Sequence, residues 1–271
     1  MDYLTKTFSR PFQDWKKFGI AAVLHLTLFL VSAIILVVFM GTIYQSLGIN
    51  PLDPNPQIDS TLTEVQVAEI VLQNIPSLII GGLLTIILGI IITSIIQGWF
   101  LRCMNSALKN KSKLPNWNNF MDLFKKGFIL SIIYLIYIIA LAIPLLLYVL
   151  TLAIPLLFSE VVPTIAIILT ILLFLLFLYT IPMIEVFYSK NYKFKEAFDL
   201  KRIFKKAFTW KYLGNGLVIL LILIGIGVAG SIVSDLLTVT IIFPILVNTF
   251  IYIYTGIFFS TAFANLYKKI K

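Results

Sequence analysis

"LGIIITSII", residues 88–96, puts isoleucines side by side at 90–92 and again at 95–96. A barrel strand with lipid on one side and water on the other alternates apolar and polar positions. This stretch does not alternate, and it reads as one turn after another of a helix in hydrocarbon. It lies within 32 residues free of Asp, Glu, Lys and Arg, bounded by Glu69 and Arg102. Five more such runs follow the same rule: 35 residues between Lys17 and Asp53, 33 between Lys126 and Glu160, 24 between Glu160 and Glu185, 23 between Lys211 and Asp235, and 32 between Asp235 and Lys268. A spanning helix needs roughly 20 apolar residues. Each run therefore accommodates one crossing and none accommodates two with a turn. The composition agrees, at 60% hydrophobic and 12% charged, where soluble domains carry about 25% charge.

The expected fold is an all-α polytopic membrane bundle of six transmembrane helices, at about 18–44, 74–101, 127–151, 161–184, 212–234 and 237–266. All 21 basic residues fall in four segments, with four in 1–17, six in 102–126, eight in 185–211 and three in 267–271. The other connections, 45–73, 152–160 and 235–236, hold only acids: Asp53, Asp59, Glu64, Glu69, Glu160 and Asp235. The positive-inside rule puts the basic segments and both termini in the cytoplasm of a cell-membrane protein, and the acidic connections outside. The net charge of +9 is then a topology signal with attraction for anionic lipid headgroups. It is not a nucleic-acid footprint. The first apolar run is too long for a signal-peptide core, so it is expected to remain as the first span.

Three spans begin alike: "FQDWKKFGI" (12–20), "FMDLFKKGF" (120–128) and "FTWKYLGNG" (208–216). Asp14 matches Asp122, Gly19 matches Gly127 and Gly214, and Trp15-Lys16 matches Trp210-Lys211. This suggests three tandem hairpins running in the same sense. The alternative is that every inward-starting span opens with aromatic and basic residues, because both favour the interface. Before span three, Trp117, Phe120, Leu123 and Phe124 share a helical face bracketed by Lys113, Lys125 and Lys126, with Pro115 in the expected first turn. That pattern describes a short interfacial helix with aromatics down and lysines toward phosphates. Residues 193–211 repeat the device, with Phe194, Ala197, Phe198, Phe204, Ala207 and Phe208 mostly on one side and Lys201, Arg202, Lys205 and Lys206 among the polar positions. Both segments read either as surfaces for lipid or a protein partner, or as connectors that anchor helix ends.

The stretch "GWFLRCMNSALKNKSKLPNWNNFMDLFKKGF" (98–128) resembles the signature of an archaeal membrane family, domain of unknown function 4013. Its matching residues here are Gly98, Leu101, Arg102, Leu114, Pro115, Trp117, Asp122, Leu123, Phe124 and Gly127, with "EAFDL" (196–200) and "WKYLG" (210–214) further on. The resemblance implies an archaeal multi-span integral membrane protein and no particular activity. It extends loosely to the membrane domain of some glycerophosphodiester phosphodiesterases, but this chain has no room for their catalytic barrel.

No acid or base falls near mid-span, where it would suggest an ion or proton path, and Glu185 and Asp235 read as boundary charges. His25, two turns into span one, lacks companions for a metal set and is expected to bond a neighbouring helix. Cys103 stands alone, so no internal disulfide forms. No cofactor is expected, and no catalytic constellation appears. Gly81, Thr85, Gly89, Thr93 and Gln97 recur every fourth residue on span two. They form a small, weakly polar face for tight helix packing or, with His25, a candidate groove. The leading functional reading is a non-catalytic scaffold or accessory subunit contacting lipid and a cytoplasmic partner, through surfaces including Trp117, Phe120 and Phe124. The alternative is a transporter or lipid-handling protein using the span-two groove. A cysteine placed at Asp59 should react with an impermeant maleimide on intact cells; labelling only after lysis would invert the topology.

Overall fold

A computed structural model describes residues 2–46, 64–153, 161–237 and 242–270. The elements in order are α1 (Asp2–Ser9), a 3-10 turn (Arg10–Gln13), α2 (Trp15–Ser46), α3 (Glu64–Leu108), α4 (Phe120–Ala153), α5 (Val161–Asn191), a second 3-10 turn (Phe194–Phe198), α6 (Leu200–Ala207), α7 (Trp210–Leu236) and α8 (Ile242–Lys269). Six of these helices are long and apolar enough to cross a membrane, and no strand occurs among the described residues. The bundle is all-α, as the unalternating runs require. Asp53, Asp59 and Glu160 lie outside the described residues.

Side-chain caps start the three helices that run away from the basic segments. Asp14 Oδ1 accepts from the Lys17 amide at 3.2 Å, Asn119 Oδ1 from Asp122 at 3.1 Å, and Thr209 Oγ1 from Tyr212 at 3.3 Å. The caps on Lys17 and Tyr212 satisfy first-turn amides that the helix leaves open, and the Asp122 amide is shared between the side chain and the carbonyl of Asn119. The likeness of the three helix starts thus includes a common capping device. The glycines are less alike: a Cβ on Gly19 or Gly214 would meet nothing within 4 Å, whereas one on Gly127 would collide with backbone.

The expected short helix before span three is not there. Leu114 to Asn119 is irregular chain, and Phe120 onward is the opening of α4 itself. Asn119 adopts φ 57°, a left-handed conformation that asparagine tolerates better than most residues. It turns the chain sharply into α4. Pro115 therefore sits outside any helix.

α3 is the central element. It touches α2, α4, α5 and α8, and its contact with α4 is the most extensive in the bundle. At that crossing a Cβ on Gly98 would overlap the Leu123 carbonyl, and one on Gly127 would overlap the Ser94 carbonyl and approach the Gly98 amide. Two glycines placed on facing helices let the backbones touch. Gly256 of α8 likewise makes room for the Phe100 ring of α3, and Gly230 of α7 for Ile251 of α8.

Burial is lopsided. The fully buried side chains cluster toward the basic ends of the helices: Ile96, Trp99, Leu101 and Met104 on α3, Leu123 and Ile133 on α4, Met183, Ile184 and Tyr188 on α5, and Phe258 and Phe263 on α8. Toward the other end Val37, Leu84, Ile138, Leu146, Leu172 and Ile232 face outward. Outward-facing apolar side chains suit lipid, which satisfies them as well as protein would.

Gly98→Ala and Gly127→Ala should each destabilise the detergent-purified protein by about 1–3 kcal/mol, the usual cost of overpacking. The cost should lie at the upper end because the obstacle is backbone. Gly19→Ala should leave the unfolding midpoint unchanged.

Candidate functional site

The irregular segment after α3 is held on every side. The Trp99 and Trp117 indoles stack at 4.4 Å between ring centroids. Trp99 Nε1 donates to the Pro115 carbonyl at 3.2 Å and Trp117 Nε1 to the Lys17 carbonyl at 2.9 Å. Lys17 Nζ donates back to the Leu114 carbonyl at 2.7 Å and pairs with Asp14 at 2.9 Å. The hydrogen bond from Lys17 holds the Asp14 carboxyl below its ordinary range. Arg102 bonds the Asn116 and Asn118 carbonyls and reaches Asp122 at 2.7 Å, where Lys126 joins at 2.6 Å. Lys126 also lies 3.9 Å from the centre of the Tyr192 ring, a cation–π arrangement. The result is a clasp that ties the start of α2, the end of α3 and the start of α4 into one body.

This clasp gathers the signature residues. Gly98 and Gly127 make the helix crossing, Arg102 and Asp122 the ion pair, and Pro115 and Trp117 the bracing of the loop. Trp117 is only 6% exposed and Leu123 is fully buried, so neither faces headgroups. Phe120 is 49% exposed and Phe124 half-buried, and of this aromatic set they alone keep outward character. The aromatic-lysine spacing that suggests an interfacial helix is here the spacing of a packed junction.

The span-two row divides. Gly81 and Gly89 face α2, where a Cβ would meet Ile35 at 3.0 Å and Leu28 at 3.7 Å respectively. The hydroxyls of Thr85 and Thr93 bond back to the carbonyls of Gly81 and Gly89 in their own helix. Gln97 instead turns to α4, where Ser131 Oγ donates to its Oε1 at 3.2 Å. His25 sits against α8, with Nδ1 3.1 Å from Thr249 Oγ1 and its ring stacked 4.4 Å from Tyr252. Gly81 and Gly89 thus face α2, Gln97 faces α4 and His25 faces α8.

On α6, Ile203 and Ala207 are buried while Lys201, Arg202 and Lys205 are exposed. Arg202 pairs with Asp199 at 3.0 Å. Lys206 differs from its neighbours, since its Nζ reaches back to the Ile270 carbonyl at 3.0 Å. Beyond α6, Phe208 is 61% and Trp210 87% exposed.

Two residues acquire a setting that sequence reading did not give them. Glu185 does not end its helix. It lies well inside α5, which continues through Val186, Phe187 and Tyr188 to Asn191, and the Tyr134 hydroxyl of α4 donates to its carboxylate. The apolar residues on both sides of it were the available signal. Arg10 is 4% exposed, although nothing around it in the sequence distinguishes it from a solvated N-terminal arginine. Burial pulls its pKa below the ordinary value. Cys103 is also fully buried.

Trp117→Ala should cost about 3–5 kcal/mol, the usual price of an aromatic core truncation. Phe120→Ala should stay within about 0.5 kcal/mol, as exposed positions do. Chemical denaturation in detergent separates these outcomes.

A family described as "Protein of unknown function (DUF4013)" matches residues 80–239. No curated protein matches the chain, and no solved structure does. The match covers more than half of the chain and takes in the α3–α4 part of the clasp, from Gly98 to Gly127, so the protein belongs to the DUF4013 family.

Proposed function

We propose that this multi-pass membrane protein is a non-catalytic scaffold or accessory subunit, with both termini cytoplasmic, whose α6 surface engages lipid headgroups and a protein partner. The observation that carries this reading is the face of α6. Lys201, Arg202 and Lys205 project outward from a helix whose Ile203 and Ala207 are sealed against the bundle. Exposed Phe208 and Trp210 follow directly. Basic side chains beside exposed aromatics form a surface that anionic headgroups attract and an aromatic-accepting partner can grip.

The packing of Gly81 and Gly89 against α2 favours this reading over transport along that row. A passage there would require Ile35 and Leu28 to withdraw. The rigid clasp suits a platform, because it fixes the cytoplasmic ends of the helices relative to one another.

Lys206 is left intact in the test because it braces the C-terminus. The Lys201→Gln/Arg202→Gln/Lys205→Gln variant, extracted into native lipid discs, should fold normally and lose a stoichiometric protein companion retained by the parent. A companion retained equally by both, or none with either, contradicts the proposal.

A further inference from the structure

Arg10 is the most unusual charged residue in the molecule. It is held in the 3-10 turn between α1 and α2 and is almost wholly buried. Its described partners are neutral: Nη1 donates to Thr261 Oγ1 at 3.3 Å and Nη2 to Ser106 Oγ at 3.2 Å, while Nε has no partner. Arginine is not neutralised at ordinary pH. A buried guanidinium without a counter-charge is strongly unfavourable, so sequences retain one where an anion completes it.

Arg10 borders a cavity of about 940 Å³ between the ends of α3 and α8, on the side where the basic segments gather. Lys6, Lys111, Lys190, Lys268 and Lys269 line the same cavity, and among the described residues no carboxylate does. Lys268 is committed in part, donating to the Ala107 carbonyl at 2.8 Å and to Asn110 Oδ1 at 2.6 Å. Thr261, Asn265 and Ser112 add neutral polar groups. The volume falls in the range of small-ligand sites, about 300–1,000 Å³. A single carboxylate would bring one negative charge to a lining that gathers Arg10 and several lysines. A phosphate group offers several acceptor oxygens and more than one negative charge, and it fits the arginine fork.

We propose that this cavity binds a phosphate group, carried on an anionic lipid headgroup or free in solution, with Arg10 as its buried anchor and Lys6 and Lys111 closing over it from the rim. The site stands apart from α6 and does not depend on the scaffold reading. It would give the chain a ligand that stabilises the junction of α1, α3 and α8.

The test uses the full-length protein purified without phosphate. In detergent it is titrated with inorganic phosphate, followed by thermal unfolding. In discs of phosphatidylcholine doped with phosphatidylglycerol, retained lipid is counted by native mass spectrometry. The parent should saturate with at least one probe. Arg10→Gln should weaken that binding by about tenfold or more, the effect of losing a charge-assisted hydrogen bond, and Arg10→Lys should fall between. Saturation by phosphatidylglycerol alone identifies a headgroup site, and saturation by phosphate a free-oxyanion site. Should Arg10→Gln fail to fold, the exposed pair Lys6→Gln/Lys111→Gln decides, with a loss of the same sign. The α6 triple variant should bind inorganic phosphate as the parent does. No saturable binding by the parent, unchanged binding in the folded cavity variants, or loss of inorganic-phosphate binding in the α6 variant instead would overturn the proposal.

Discussion

The contact between the backbones of α3 and α4 at Gly98 and Gly127 is the constraint on which the rest of the structure depends. Without side chains at these two positions the helices approach until Cα atoms and carbonyls meet. Close approach at one level sets what neighbours it can have. Trp99, one residue beyond Gly98, reaches the connecting loop and stacks on Trp117. Arg102, one turn further, reaches Asp122 before α4 diverges. The clasp is therefore a consequence of the crossing, and the loop between the helices can be short and irregular because both of its ends are fixed.

From this junction the molecule divides along the helix axes. Near the clasp, aromatic and aliphatic side chains fill the space between six helices, and polar groups find partners: Asn105 with the Ser189 and Lys190 carbonyls, Tyr188 with Lys126, and Lys17 with Leu114. Away from it the helices present isoleucine, leucine and valine outward. In water such a half would collapse or aggregate. In lipid it needs no further cover, and helix packing rests on small residues and shape. α3 is longer than one crossing requires. Its 45 residues span about 68 Å at 1.5 Å per residue, more than twice the thickness of the apolar core.

Much of this was legible in the sequence. Charge-free runs located six helices because hydrocarbon excludes charge regardless of tertiary detail. Four-residue spacing of Gly81, Thr85 and Gly89 pointed to a packing face, and Gly81 and Gly89 lie on α2. The lone histidine bonds a neighbouring helix. What was not legible depends on long-range partners. The spacing of Trp117, Phe120, Leu123 and Phe124 fits an interfacial helix as well as a buried junction. Only the left-handed turn at Asn119, and the indole of Trp99 18 residues before Trp117, decide between them. Arg10 is ordinary in sequence. Its burial is made by Thr261 and Ser106, which lie 251 and 96 residues away. The charge of Glu185 reads as a helix end, but α5 runs on through apolar residues to Asn191.

The α3–α4 crossing itself is open to a direct chemical measurement. Gln97 and Ser131 bridge it through a 3.2 Å side-chain hydrogen bond. With Cys103 replaced by serine, cysteines at these two positions can be treated with a short bifunctional thiol reagent that fluoresces only when both of its arms have reacted. The close crossing predicts an intramolecular fluorescent bridge in the membrane-embedded protein, formed in preference to single alkylation. Two thiols that each react alone and never bridge would mean that α3 and α4 do not meet at Gly98 and Gly127, and the clasp would fall with that contact.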